Sequence, residues 1–154
     1  MPIRRNVARA AAAILLSLLL LSWGPAPRCL AADSVTVDVG SIYASSEGSS
    51  VDPALANIRG KLRAMFDYTN YKMLDRKRRT LAVGESGDIA LPGDRSMSIK
   101  PLPAEGRKVR LSVQIREGGR SLLSTTLGLS RGGMVLVGGP SHEAGVLIFI
   151  ISAE

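Results

Sequence analysis

The chain has 154 residues, enough for one domain of ordinary size with a real hydrophobic core. It carries 20 basic and 13 acidic residues, a formal net charge of +7. Four of the basic residues and none of the acidic ones lie in the first 31 positions, so the remainder has a net charge of only +3. That balance is ordinary for a soluble domain and does not indicate nucleic-acid binding.

The first 31 residues have the three parts of a cleavable secretory signal peptide. Three arginines give a positive start, and an apolar run follows over 10–21. This run is too short for a membrane-spanning helix, which needs about 20 residues. The small residues Cys29 and Ala31 favour cleavage after Ala31. The alternative is an uncleaved anchor. We predict a signal peptide over 1–31 and one exported domain over 32–154, periplasmic or secreted.

Cleavage at this point would also remove the only cysteine, Cys29. The mature domain would then have no disulfide, no thiolate nucleophile and no cysteine-ligated metal. Small exported domains often depend on disulfides. We therefore expect this one to depend on packing.

The first part of the mature chain predicts a strand and a helix. Val35, Val37 and Val39 alternate with polar residues, the pattern of a half-buried strand. Asp52-Pro53 is typical of a helix start, with an acid at the N-cap and proline at the first helical position. Apolar residues then recur on one helical face: Leu55, Ile58, Leu62, Met65 and Phe66. This pattern predicts an amphipathic helix that lies on an apolar surface.

The rest of the sequence consists of short strands and turns. Predicted strands cover 71–74, 80–83, 88–91, 96–100, 109–115 and 123–129, and two continuously apolar segments follow at 134–137 and 146–151. A strand that is apolar on both faces must be covered on both. We therefore expect the last two strands to be central, with Leu62 or Phe66 packed over the final one. The predicted fold is mainly β, an antiparallel β-sandwich or partly closed barrel with one amphipathic α-helix.

Several strings together resemble small uncharacterised exported proteins of Gram-negative bacteria. They are Phe66-x-Tyr68-x-x-Tyr71-x-x-Leu74, Leu91-Pro92-Gly93, the segment 131–140 and the segment 145–150. The resemblance covers most of the mature chain and implies no particular activity. The segment 132–150 is also similar to the last hairpin of secretin-type outer-membrane channels, in which two apolar strands flank a Gly-Gly turn. This second similarity implies a role in envelope assembly.

The best candidate for a binding surface combines a basic run with two nearby aromatic residues. Its members are Tyr68, Tyr71, Arg76, Lys77, Arg78 and Arg79. The cations could contact an acidic partner or an anionic membrane, and the tyrosines could stack on a sugar ring. The alternatives are structural. The run would be a solvated turn or a set of charges that protects a strand edge, and the tyrosines would cap the core where helix meets sheet.

The candidate for catalysis is weaker. His142 is the only histidine, and Glu143 follows it in a glycine-rich stretch. A hydrolase centred on His142 would need Glu143, Asp94 or Asp88 brought beside it by folding. Neighbouring residues on a strand point to opposite faces, and the spacing of a metalloprotease motif is missing. The chain is more consistent with a protein that is not an enzyme, and we predict no cofactor and no metal.

These patterns favour a non-catalytic, exported β-rich binding or structural module, and the secretin resemblance implies a role in envelope assembly. Its expected partner is another envelope protein rather than a nucleic acid. An anionic membrane or a glycan is the alternative ligand, and the hydrolase is the alternative activity. The ligand and the oligomeric state do not follow from the sequence.

Overall fold

The computed structural model describes residues 33–154, so the predicted signal peptide over 1–31 lies outside the described residues. Two antiparallel sheets of four strands each make up the fold. Sheet I has the strand order β2-β1-β8-β7, and sheet II has the order β3-β4-β5-β6. The strands are β1 (Ser34–Ser45), β2 (Asn70–Ala82), β3 (Gly87–Leu91), β4 (Arg95–Leu102), β5 (Lys108–Glu117), β6 (Arg120–Ser130), β7 (Gly133–His142) and β8 (Gly145–Ala153).

The core between the sheets follows from the alternation of apolar and polar residues. Val37 and Val39 of β1 point towards sheet II, where they meet residues such as Leu111 and Val113 of β5. These side chains are essentially buried, and the polar residues between them face outwards. The predicted antiparallel sandwich is therefore confirmed, and within residues 33–154 the two sheets do not close into a barrel.

The chain crosses between the two sheets at a very short turn. Strand β6 ends at Ser130 in sheet II, and β7 begins at Gly133 in sheet I. Gly132 has a φ of +76°, a conformation that L side chains rarely adopt. Its N–H donates to the carbonyl oxygen of Ala153 at 2.7 Å. This turn gives the sandwich one joined side, which is the side that carries β6 and β7.

A helical segment covers part of the outer face of sheet I, the face that points away from sheet II. It consists of a 3-10 helix, Pro53–Ile58, followed by α1, Arg59–Met65. Asp52 caps the start as predicted, since its Oδ1 accepts from the Ala54 N–H at 2.9 Å. The amphipathic stripe is confirmed at Leu55, Ile58 and Leu62, which are buried.

The predicted packing of this segment on the final strand is also confirmed. Leu62 belongs to a second buried cluster that includes Ile42 of β1 and Ile148 of β8. Phe66, just past the end of α1, packs partly against the same cluster. Met65 differs from the prediction, because it is 59% exposed and takes no part in this contact. Strand β8 is thus apolar on both faces because each face has its own cover.

Two predicted elements are corrected by the structure. The basic run is not a turn between two strands, because β2 continues through it from Asn70 to Ala82. Strand β7 is not central, because it pairs only with β8 and forms an edge of sheet I. The stretch around His142 is also more regular than predicted: β7 extends to His142 and turns directly into β8.

Among the described residues, no helix has the length and apolar character needed to cross a membrane.

Candidate binding surface

The basic run lies in β2, at the edge of sheet I, and strand alternation divides it between two faces. Arg78 lies opposite Asp38, and Arg76 lies opposite Gly40, in the register of β1 and β2. Val37 and Val39 of β1 face the core, so Arg76 and Arg78 must point to the outer face. Lys77 and Arg79 point to the other face, at the rim of the sandwich.

The two outward arginines share one carboxylate. Arg76 Nε lies 2.6 Å from Asp38 Oδ1, and Arg78 Nε lies 3.3 Å from Asp38 Oδ2. The Asp38 side chain is only 13% exposed, whereas both arginine side chains are 62% exposed. Each guanidinium therefore has its Nε anchored on Asp38. Its outer N–H groups, which can form a bidentate contact, remain available to a partner.

Lys77 has a different role at the rim. Its Nζ lies 2.8 Å from Asp75 Oδ2 and donates to the carbonyl oxygen of Ala90 in β3 at 2.7 Å. The hydrogen bond from Lys77 lowers the pKa of the Asp75 carboxyl below its usual value. Lys77 thus ties the edge of sheet I to the edge of sheet II. Arg79, which is exposed, follows on the same side.

The outer face beside the arginines is uncovered and partly apolar. In the strand register, Asp38 lies opposite Ser152, and Ser152 lies opposite Met134. Met134 is 41% exposed, and Ile150 is half-buried. We call this surface the outer patch. It consists of Asp38, Arg76, Arg78, Met134, Ile150 and Ser152.

The two tyrosines lie away from the outer patch. Tyr71 is 1% exposed, and its hydroxyl donates to the carbonyl oxygens of Phe66 at 2.9 Å and Leu62 at 3.3 Å. These carbonyls end the helical segment, so Tyr71 caps the core where helix meets sheet, as the structural alternative predicts. Burial raises the pKa of its phenol. Tyr68 is half-buried and packs partly against the same cluster. Tyr71 is therefore not open to a partner in this structure, and we leave it out of the surface proposed below.

His142 lies at the end of β7, where its neighbours are Arg95 and Tyr43. Its Nδ1 is 3.5 Å from an Arg95 guanidinium nitrogen, and its ring meets that of Tyr43 edge-on with centroids 6.1 Å apart. Arg95 also donates to the carbonyl oxygen of Ser141 at 3.0 Å and lies 2.8 Å from Glu117 Oε1. The Nε–H of Arg95 does not point at that oxygen, so the contact is ionic rather than a directed hydrogen bond.

This second cluster joins the sheets rather than assembling a reaction centre. Arg95 lies in β4 of sheet II and contacts β7 of sheet I. Within the described residues, no hydrogen bond or ion pair joins His142 to Glu143, Asp94 or Asp88. In the same part of the chain, no three His, Cys, Asp or Glu side chains come together as metal ligands.

An open recess in the described surface lies elsewhere. It is an open depression of about 610 Å³ beside the β4–β5 loop, lined by 103–106, Lys108 and Arg110. Glu105 is the acidic residue in its wall, and no histidine or hydroxyl lies beside it there. The recess therefore brings together no nucleophile and base.

Sequence reasoning missed three residues of these two clusters. Asp38 read only as a polar residue in an alternating strand, and Met134 read as core. Arg95 carried no signal, because its contacts with β7 join distant parts of the chain. The available signal for Asp38 had two parts. Asp38 is an acidic residue in the alternating pattern of β1, and the basic run is long enough to form a strand that pairs with it.

No protein-family model matches the chain, and no curated protein matches it. Among solved structures, the chain is similar to the T2SS secretin XcpQ from Pseudomonas aeruginosa, determined by cryo-EM. The TM-score is 0.44 and the sequence identity is 8%, over 94% of this chain. The similar region spans 63% of the secretin chain. A similarity at this level carries no argument about function.

Proposed function

We propose that residues 32–154 form an exported, non-catalytic β-sandwich module that binds an acidic surface of another envelope protein through the outer patch. One observation carries the proposal. Arg76 and Arg78 are held side by side on Asp38, fully oriented and largely exposed, on a sheet face that the helical segment leaves open. A pair of pre-oriented guanidinium groups loses little side-chain entropy when it binds carboxylates.

The apolar part of the outer patch supports a protein partner. Met134 and Ile150 lie on the same face as the arginines, and β1 and β8 separate Met134 from Arg78 by three strand spacings, about 14 Å. Methionine and arginine are enriched in protein–protein interfaces, whose centres are apolar and whose rims are polar. A glycan platform has less support, because the ring of Tyr71 is buried.

The surroundings of His142 support a non-catalytic role. Its charged neighbour is the guanidinium of Arg95, which can only donate hydrogen bonds. A hydrolytic histidine needs an acceptor on one nitrogen and a nucleophile on the other. Arg95 and Tyr43 supply neither arrangement here.

Export is part of this proposal, and it rests on the sequence of the first 31 residues. The mature chain should begin near Ala32. N-terminal sequencing of the protein recovered from the producing cells measures this directly. Recovery of chains that retain the apolar run 10–21 would contradict the proposal.

The binding part is tested by capture with matched variants. The mature protein, carrying a photo-crosslinker at Ser152, is incubated with envelope extract, and crosslinked proteins are identified by mass spectrometry. The double variant Arg76→Gln/Arg78→Gln should lose the crosslinked partner. The control Lys100→Gln/Lys108→Gln removes the same charge from the outer face of sheet II and should keep it.

Two results would overturn the binding proposal. One is a partner captured equally by wild type and by Arg76→Gln/Arg78→Gln. The other is binding to vesicles containing anionic phosphatidylglycerol that is lost in Arg76→Gln/Arg78→Gln, because that pattern identifies a membrane surface. Thermal melts of each variant establish that the fold is retained.

A further inference from the structure

The sandwich has four edge strands, and an unpaired edge is a template for another strand. Strands β2 and β7 are the edges of sheet I, and β3 and β6 are the edges of sheet II. Natural sheets block such edges with charges, bulges, short strands or side-chain caps. Three of these four edges are blocked in one of these ways, and β6 has only a bulge near its start.

The open edge of β2 is capped by acidic side chains from β2 and from the segments next to it. Backbone groups of successive residues alternate between the paired side and the open side of an edge strand. On the open side, the N–H groups of Met73, Arg76 and Ala82 donate to carboxylates at 3.3, 2.7 and 2.9 Å. The acceptors are Asp52, Asp75 and Glu85. An incoming strand would have to displace these bonds and meet four cations.

The other two blocked edges are interrupted or short. Strand β7 loses its regular register between Gly138 and Ser141, where Pro140 has no N–H to offer. Strand β3 has only 5 residues, and the carbonyl oxygen of Ala90 already accepts from Lys77. Neither edge offers a long row of free backbone groups.

Strand β6 has a bulge at Leu122, near its start, and none of these protections beyond it. It is 11 residues long, and from Ser121 to Ser130 it contains no charged residue and no proline. The Arg131 N–H donates to the Arg107 carbonyl, which fixes the phase of the β5–β6 ladder. By alternation from that bond, the N–H and C=O groups of Ser124, Thr126 and Gly128 point away from β5. Among residues 33–154, β6 pairs with β5 alone.

The side chains around β6 define what an added strand would carry. On the core side, Leu123, Leu127 and Leu129 are only partly buried against the sandwich core. An added strand with apolar residues on that side would complete their cover. The surroundings are otherwise basic: Arg110 and Arg116 lie on the outer face of β5, and Arg120 and Arg131 flank the strand. Glu117 is close but is already paired with Arg95.

We infer that the β6 edge accepts an extended segment of a partner protein by strand addition, and that this segment alternates apolar with acidic residues. The apolar side chains would extend the leucine row, and the acidic ones would lie on the outer face near Arg110 and Arg116. Backbone hydrogen bonds supply the affinity in this mode, and the alternating side chains supply the choice of partner. The site is separate from the outer patch, on the other sheet.

A second copy of the chain fits this edge less well. Antiparallel pairing of two β6 strands about Thr126 would place Arg120 of one copy beside Arg131 of the other, at both ends. Like charges at the ends of a strand pair oppose association. An acidic segment gains from the same four arginines that a second copy would repel.

The test uses a fluorescein-labelled nine-residue peptide that alternates valine and glutamate, with a valine–lysine peptide as the comparison probe. Fluorescence anisotropy with the mature protein should give binding at least about tenfold tighter for the glutamate peptide. Thr125→Lys places a lysine on the core side of the edge, as Lys77 does on β2, and should weaken binding at least about tenfold. The matched Thr126→Lys adds the same charge on the outer face and should retain binding or strengthen it.

Amide hydrogen exchange locates the site independently of affinity. With the glutamate peptide bound, exchange should slow at Ser124, Thr126 and Gly128 and not at Arg78 or Thr80 in β2. Equal binding of the two peptides, or equal loss in Thr125→Lys and Thr126→Lys, would overturn the inference. So would a concentration-dependent dimer in sedimentation that Thr125→Lys dissociates, because β6 would then pair with itself. A thermal melt of each variant controls for folding.

Discussion

The outer face of sheet I has two halves that are built by the same strands. One half is covered and belongs to the core, and the other is open to solvent. In one half, Ile42 and Ile148 lie under Leu62 and are fully buried. In the other half, four residues away on the same strands, Asp38 lies beside the exposed arginines and Ser152 lies beside Met134. The helical segment packs over the half that contains Ile42 and Ile148 and leaves the half with Asp38 and Ser152 open.

This difference predicts unequal costs for substitutions that look similar in sequence. In the covered half, a lost side chain leaves a cavity, whereas in the open half the surroundings are already solvated. The cost of a substitution should therefore fall from the buried centre of the helical segment to the open patch.

The largest expected effect is that of Leu62→Ala. Leu62 is fully buried between the helical segment and sheet I. Large-to-alanine changes at such positions cost about 2–5 kcal/mol, out of about 5–15 kcal/mol for a whole domain. Urea unfolding of the mature protein should show a strongly lowered midpoint. Arg63→Ala, at the exposed neighbouring position, should barely move it, and equal effects of the two changes would contradict the packing described here.

Tyr71→Phe should have an intermediate effect with a pH dependence. The phenol donates to two carbonyl oxygens that end the helical segment, and a hydrogen bond of this kind contributes about 0.5–1.5 kcal/mol. Burial raises the pKa of Tyr71 in the folded state above the ordinary value of 10.0. The protonated phenol is therefore favoured by folding, and its contribution is complete below pH 10 and is lost as the pH rises through the folded-state value.

The measurement is the difference in unfolding free energy between wild type and Tyr71→Phe from pH 8 to pH 12. Lysine titration is common to both proteins and cancels in the difference. Wild type should be the more stable protein at pH 8, and the gap should close as the phenol ionises. A gap that stays constant over this range would place the Tyr71 hydroxyl outside the hydrogen bonds described.

The covered half is also the part of sheet I that the sequence predicted best. Helical spacing identified Leu62, and the continuous apolar run identified β8 as a strand with two covers, because both patterns depend only on local periodicity. The alternation of Val35, Val37 and Val39 identified the inner face of β1 in the same way. These sequence patterns match the burial in the structure because buried positions on a regular helix or strand repeat at fixed intervals.

The open half could not be predicted in the same way. Four consecutive cations conceal the alternation of β2, so the strand appeared to be broken at Arg76–Arg79. Strand β7 appeared central because both of its faces are apolar. Its outer face, however, is covered at Leu136 and open at Met134. Two features of this half depend on pairing between strands that are far apart in the chain. They are the choice of the strand that forms the sheet edge and the position of Asp38 beneath two arginines.

A smaller effect on stability is expected for Arg76→Gln/Arg78→Gln. Both arginines are largely exposed, and ion pairs of that kind contribute about 0–1 kcal/mol. Asp38 is less exposed and would lose both of its partners, which places the expected cost towards the upper end of that range. Urea unfolding at low and high salt measures it, and the difference from wild type should shrink as salt is added. A cost as large as that of Leu62→Ala would make the pair part of the core rather than of a binding surface.

The smallest expected effect on stability is that of Met134→Ser. Met134 lies on the same face of sheet I as Ile148 but is 41% exposed, whereas Ile148 is fully buried. Surface substitutions of this kind usually change stability by less than about 0.5 kcal/mol, so the urea midpoint should stay close to that of wild type. Capture of the crosslinked partner should nevertheless fall, because the outer patch would lose its exposed apolar side chain. Met65→Ser, which removes an exposed methionine from the helical segment outside the outer patch, is the matched control and should change neither quantity. If Met134→Ser destabilised the protein as a core substitution does, the open half of sheet I would in fact be covered. If it left both stability and capture unchanged, the partner would read charge alone, and the arginines on Asp38 would be the whole of the site.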